Sequence, residues 1–155
     1  SASVIGLSLA LFGVAMALVQ GGAIRLTLKW FGERGTVNFG FVFAIASYGA
    51  IGVITSGTLA LILTPIAAIG GVIPPALKGV MSRRVDANAQ GELHGALTST
   101  TALAMILSPL AMTASFSEFT KDGTTFYLPG APFLLAMALS ILALAIFVFS
   151  PRKTT

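Results

Sequence analysis

Long apolar runs separated by short charged stretches set the pattern of this chain. Five runs of roughly 20 residues cover 4–23, 37–55, 58–77, 93–116 and 131–150, and about 20 residues is the length a helix needs to cross a hydrocarbon core of about 30 Å. No Asp, Glu, Lys or Arg lies inside any run; Lys78 and Glu92 stand at or beyond the ends. Backbone groups in lipid must find their partners within the protein, and no period-2 alternation is visible, so the runs predict helices and not a barrel. The expected fold class is an all-α membrane protein with five transmembrane helices.

Composition supports this reading. Of the 155 residues 55% are hydrophobic and 9% charged, with a mean hydropathy of +0.94, whereas soluble domains are about a quarter charged. The net charge of +4 would suit nucleic acid, but the basic residues are dispersed between apolar runs, so membrane lipid is the expected partner and nucleic acid is not. Absence of cysteine excludes disulfides, thiolate nucleophiles and Cys-ligated metals. No cofactor or metal is expected. The opening "SASVIGLSLALFGVAMALVQGGA" has neither a basic n-region nor an initiator Met, which predicts that the chain begins partway through a longer one.

The charges themselves predict orientation. Arg25, Lys29 and Arg34 follow the first run, Lys78, Arg83 and Arg84 the third, and Arg152 and Lys153 the fifth; only Lys121 follows an even-numbered run. Eight of the nine basic residues thus fall on one side, which the positive-inside rule assigns to the cytoplasm. The amino terminus is expected outside and the carboxyl terminus in the cytoplasm.

Polar residues differ between runs. The fourth holds Thr98, Ser99, Thr100, Thr101, Ser108, Thr113 and Ser115, while the fifth holds only Ser140. Hydroxyls and small residues favour close helix contacts and cross-helix bonds, so the fourth run is expected at the centre of the bundle and the fifth against lipid. The third ends in "TPIAAIGGVIPPA", where Pro65, Gly70, Gly71, Pro74 and Pro75 predict a kinked or unwound helix of the kind that lines a cavity. The single histidine, His94, sits beside Glu92 at the water-facing start of a helix and reads as solvated. No Ser-His-Asp set, paired intramembrane carboxylates or phosphate loop is present, so no enzyme is expected.

One stretch carries a family resemblance. "PPALKGVMSRRVDANAQGELHGALTS", with its Pro75-Ala76-Leu77, Ser82-Arg83 and Gln90-Gly91-Glu92-Leu93-His94-Gly95, followed by Pro109-Leu110, resembles the region joining the tenth and eleventh helices of tetracycline-resistance-type efflux proteins of the major facilitator superfamily. Upstream, "IGLSLALFG", "VQGGAIR" and "KWFGERG" resemble the eighth helix and the loop after it; "YLPGAPFLLA" resembles the entry to the twelfth. The resemblance implies helices eight to twelve, part of the superfamily's carboxy-terminal six-helix bundle, in a multi-pass protein of the bacterial inner membrane.

What the resemblance implies for function is the carboxy-terminal part of a drug/proton antiporter that works by rocking two bundles around a midplane site. Cavity-lining candidates are Met16, Gln20, Thr64, Gly70, Gly71, Thr98 and Thr101. Cytoplasmic gating candidates are Arg25, Gly32, Arg34, Arg83 and Arg84; the loop from Arg25 to Thr36 matches the superfamily's second Gly-x-x-x-Asp-Arg-x-Gly-Arg loop, with Lys29 and Trp30 in place of its Asp-Arg. The family's intramembrane Asp falls where Ala44 stands, and its His near Met16. With neither present, the coupling proton would be carried by the remaining helices of the transporter. The alternative is a repurposed fragment serving as a non-transporting subunit among other membrane subunits.

Overall fold

The computed structural model describes residues 2–54, 56–121 and 127–150, with side chains described from residue 6 onward. Helix α1, Ala2–Leu18, passes through a π-helical turn, Val19–Ala23, into α2, Ile24–Val53. The paired Gly21 and Gly22 weaken the ordinary helical winding there. The segment expected as a loop, 25–36, is helical apart from Gly32, whose φ of 66° and ψ of −178° belong to a region essentially reserved for glycine.

That one residue reverses the chain. In a continuous helix, positions 16 and 44 would lie about 42 Å apart; instead Met16 packs on Gly71 and Ala44 on its neighbour Gly70. Four helical stretches, Gly6–Val53, Gly57–Ser82, Ala87–Thr120 and Ala131–Phe149, are long and apolar enough to cross a membrane, and the first of them folds back on itself at Gly32. The protein is an all-α membrane protein; no strand occurs among the described residues.

The third apolar run is not unwound. It continues as α3, Gly57–Ala67, tightens into a 3-10 segment, Ala68–Val72, and resumes as α4, Ile73–Ser82. Pro74 and Pro75 occupy the opening positions of α4, where a missing N–H costs least and the fixed φ suits a helix start. Beyond a turn, a short 3-10 segment, Ala87–Ala89, leads into α5, Gln90–Thr120. The Gln90 amide donates to the carbonyls of Ser82 (2.7 Å) and Val85 (3.1 Å) and so ties the start of α5 to the end of α4. The last helix is α6, Ala131–Phe149.

Helix α2 is the hub. Its Val37, Gly40, Ala44 and Ser47 are buried at helical spacing on one face, against Ala68, Gly71, Val72 and Ala76 from the third run. Lipid supplies no hydrophobic drive between helices, so close backbone approach does the packing. A Cβ on Gly40 would stand 2.6 Å from Ile73, and one on Gly52 would stand 2.7 Å from Leu134 of α6.

Among the described residues the polar helix α5 buries no residue, while α6 packs along α2 and leaves much of its length exposed. The hydroxyls of α5 do not bond across an interface. Thr100, Thr101, Ser108 and Thr120 donate to the carbonyls four residues back, at 2.6–2.8 Å, so their polarity is satisfied within one helix.

Candidate functional site

At the basic end, the Gly32 reversal sets Glu33 and Arg34 at the start of the returning half of α2. The Glu33 carboxylate lies over the bare backbone of Gly79 and accepts from Nε of Arg83 at 3.0 Å. Arg34 turns the other way. Its Nη2 donates to the carbonyls of Phe147 (3.1 Å) and Ser150 (3.4 Å), with the guanidinium 4.8 Å from the centre of the Phe147 ring. The last carbonyls of a helix lack internal partners and carry its negative dipole end, so a planar cation suits this place.

Gly32, Arg34 and Arg83 are therefore brought into one cluster, joined by Glu33, a residue that sequence reasoning did not single out. Arg25 is exposed on the far side of the Gly32 break. Arg84 is also exposed and stands with Ser150 at a cleft of about 390 Å³ whose walls include Phe41, Met81 and Ile146.

The cavity candidates divide into three groups. Met16, Gly70 and Gly71 belong to packing: the Met16 sulfur occupies the space a Cβ of Gly71 would need, and a Cβ on Gly70 would touch Ala44 at 3.2 Å. Thr64 donates its hydroxyl to the Ala60 carbonyl at 2.8 Å and borders a cleft of about 530 Å³ with Ser8, Phe12 and Tyr48.

The third group is open. Gln20, exposed in the π turn, borders a cleft of about 340 Å³ with Ile24, Pro74, Pro75 and Lys78. Thr98 and Thr101, both exposed, border one of about 260 Å³ with Ala102, Met105 and, again, Lys78. An amide and hydroxyls can orient a partly apolar compound but cannot ionise. Among the described residues no three His, Asp or Glu side chains are grouped as a metal ion requires.

Comparison with known proteins follows the same lines. The tetracycline resistance protein of class C from Escherichia coli is 38% identical over 117 residues, 76% of this chain and 30% of the relative. Class G from Vibrio anguillarum is 37% identical over 113 residues, 73% of this chain and 29% of the relative. Class H from Pasteurella multocida is 37% identical over 139 residues, 82% of this chain and 32% of the relative. The chain belongs to the tetracycline-resistance group of the major facilitator superfamily. It spans about 30% of the length of the curated relatives it matches. No family model and no solved structure matches.

As a member of that group with several apolar helices, it is a multi-pass protein of the bacterial inner membrane. The resemblance set an Asp against Ala44 and a His near Met16. In this tetracycline-resistance relative both positions are filled by packing against Gly70 and Gly71, and Ala44 is buried.

Proposed function

We propose that the chain forms helices eight to twelve of a drug-efflux transporter of the proton-antiporter type, contributing the wall of a substrate cavity and a clamp at the cytoplasmic end. The reading rests above all on the convergence of exposed, uncharged polar side chains, Gln20 from the first run and Thr98 and Thr101 from α5, on clefts beside α4, in a chain related to resistance proteins. Support for the clamp comes from Glu33 with Arg83 and Arg34 with the end of α6. Those contacts hold three helical segments together at the end that the charge bias assigns to the cytoplasm. A retained clamp favours a working transporter over a repurposed subunit.

The division of labour is testable in everted vesicles containing the full-length protein. Gln20→Ala and Thr98→Val alter substrate affinity or range and leave the pH dependence of transport unchanged, because a change in proton affinity requires groups that sense the proton. Loss of pH dependence in Gln20→Ala with intact substrate binding rejects the assignment. Orientation has its own check: a single cysteine at Tyr127 is labelled from outside intact cells, whereas one at Asn88 is protected.

A further inference from the structure

The cleft of about 390 Å³ beside Arg84 shares no lining residue with the clefts of Gln20, Thr64 or Thr98. Its walls come from helical segments that all reach the basic end: Phe41 from α2, Leu77, Val80 and Met81 from α4, and Ala143 and Ile146 from α6. Arg84 and Ser150 are the polar residues among those that line it, and both stand at that end. Ala143 lies about 10 Å along α6 from Ser150 and Leu77 about 7 Å along α4 from Ser82. The cleft thus reaches inward by less than half a hydrocarbon core, about 15 Å.

Apolar walls at this depth suit a hydrocarbon chain and offer water too few polar partners. The rim selects what the chain carries. Arg84 is exposed, and a guanidinium has several N–H donors in a planar fork, so a contact within the protein leaves others for a phosphate. In sequence Arg152 and Lys153 follow Ser150 almost directly, which adds positive charge to the same rim. No acidic residue is among those that line the cleft; Asp86 is not one of them, and Glu33 of the neighbouring clamp is paired with Arg83. Basic residues beside an apolar slot between helices favour an anionic headgroup over a zwitterionic one, which brings its own cation.

We infer that this cleft is a site for an anionic phospholipid of the leaflet at the basic end, with one acyl chain lying between α2, α4 and α6 and the phosphate on Arg84. A lipid seated there joins the end of α4 to the end of α6, beside the Arg34 contact. The inference needs only a membrane-spanning chain and stands apart from the efflux reading.

The test uses the full-length protein, delipidated in a neutral detergent and titrated with phosphatidylglycerol or phosphatidylcholine of matched chain length, the first bound lipid being followed by native mass spectrometry. Phosphatidylglycerol binds the more tightly. Arg84→Gln weakens it by about tenfold, the scale of one charge-assisted hydrogen bond, and leaves phosphatidylcholine unchanged. Lys29→Gln, which removes an equal charge from an exposed residue that does not line the cleft, has little effect. Ala143→Leu, which narrows the cleft without altering charge, weakens phosphatidylglycerol as well. Equal binding of the two lipids overturns the inference, and so does an equal loss in Arg84→Gln and Lys29→Gln, the mark of a diffuse surface charge. Undiminished binding in Ala143→Leu puts the lipid elsewhere and overturns it. Retention of neither lipid means that another helix of the full-length protein or a second copy covers the cleft, which overturns it too.

Discussion

Nη2 of Arg34 donates to the carbonyl oxygen of Phe147 at 3.1 Å, joining positions 113 residues apart in sequence. The same nitrogen lies 3.4 Å from the Ser150 carbonyl, and the guanidinium plane covers the Phe147 ring. One side chain thus closes the end of α6 onto the start of the returning half of α2. Lysine cannot reproduce a flat fork with several donors. Arg34→Lys is expected to lower stability by about 1–2 kcal/mol, the scale of one or two charged hydrogen bonds, read as a lower midpoint in a thermal scan of the detergent-solubilised protein. An unchanged midpoint rejects the capping role.

Gly32→Ala probes backbone strain alone, because a Cβ at this position meets no atom within 4 Å. Holding alanine at that φ and ψ costs about 1–3 kcal/mol. Gly21→Ala is the control: its surroundings are equally open and its backbone is helical, so alanine there is neutral or stabilises by about 0.5–1 kcal/mol. Equal effects of the two substitutions in the same thermal scan contradict the assigned role of Gly32.

Gly71→Ala forces its new methyl group into the Met16 sulfur. The substitution destabilises, and Met16→Ala in the same protein recovers part of the loss. Residues in direct contact couple by about 0.5–3 kcal/mol, so a double-mutant cycle on thermal midpoints is the measurement. Additivity within error shows that the two do not compete for space.

At Gly130 the obstacle is backbone. A Cβ there would fall well inside contact distance of the Gly52 carbonyl oxygen, which no rotamer change can relieve. Gly130→Ala costs on the order of 3 kcal/mol or more, at the upper end for overpacked sites, and shows as a loss of monodisperse protein after solubilisation. A normal yield and midpoint contradict the close approach of α6 to α2.

Much of the fold was legible because lipid leaves a chain so few choices. Apolar runs of bilayer length had to be helices, and the Gly-Glu-Arg-Gly of 32–35 marked the reversal through its resemblance to a known loop. Lys78 was harder to place. Pro74-Pro75 reads from sequence as the end of a helix, and a residue just past that end falls into a loop; in the structure the two prolines open α4, which carries Lys78 on its surface. Hydroxyl-rich α5 is ambiguous for another reason. A serine or threonine that bonds four residues back looks the same in sequence as one that bonds across an interface, and only geometry separates them. Glu33 escaped notice because its partner, Arg83, lies 50 positions away and a single carboxylate at a helix end is ordinary.

The reversal at Gly32 also decides parity. Each return of the chain exchanges the two faces of the membrane for everything downstream, so an odd or even number of returns determines on which side every later loop emerges. If 2–53 were one rod it would be about 78 Å long, more than twice what a bilayer of about 30 Å accommodates, and the segments from α3 onward would be handed to the opposite side. The sidedness of the Lys121 and Arg83 loops, which lie far from it in sequence, is thus inherited from the torsion angles of a single residue.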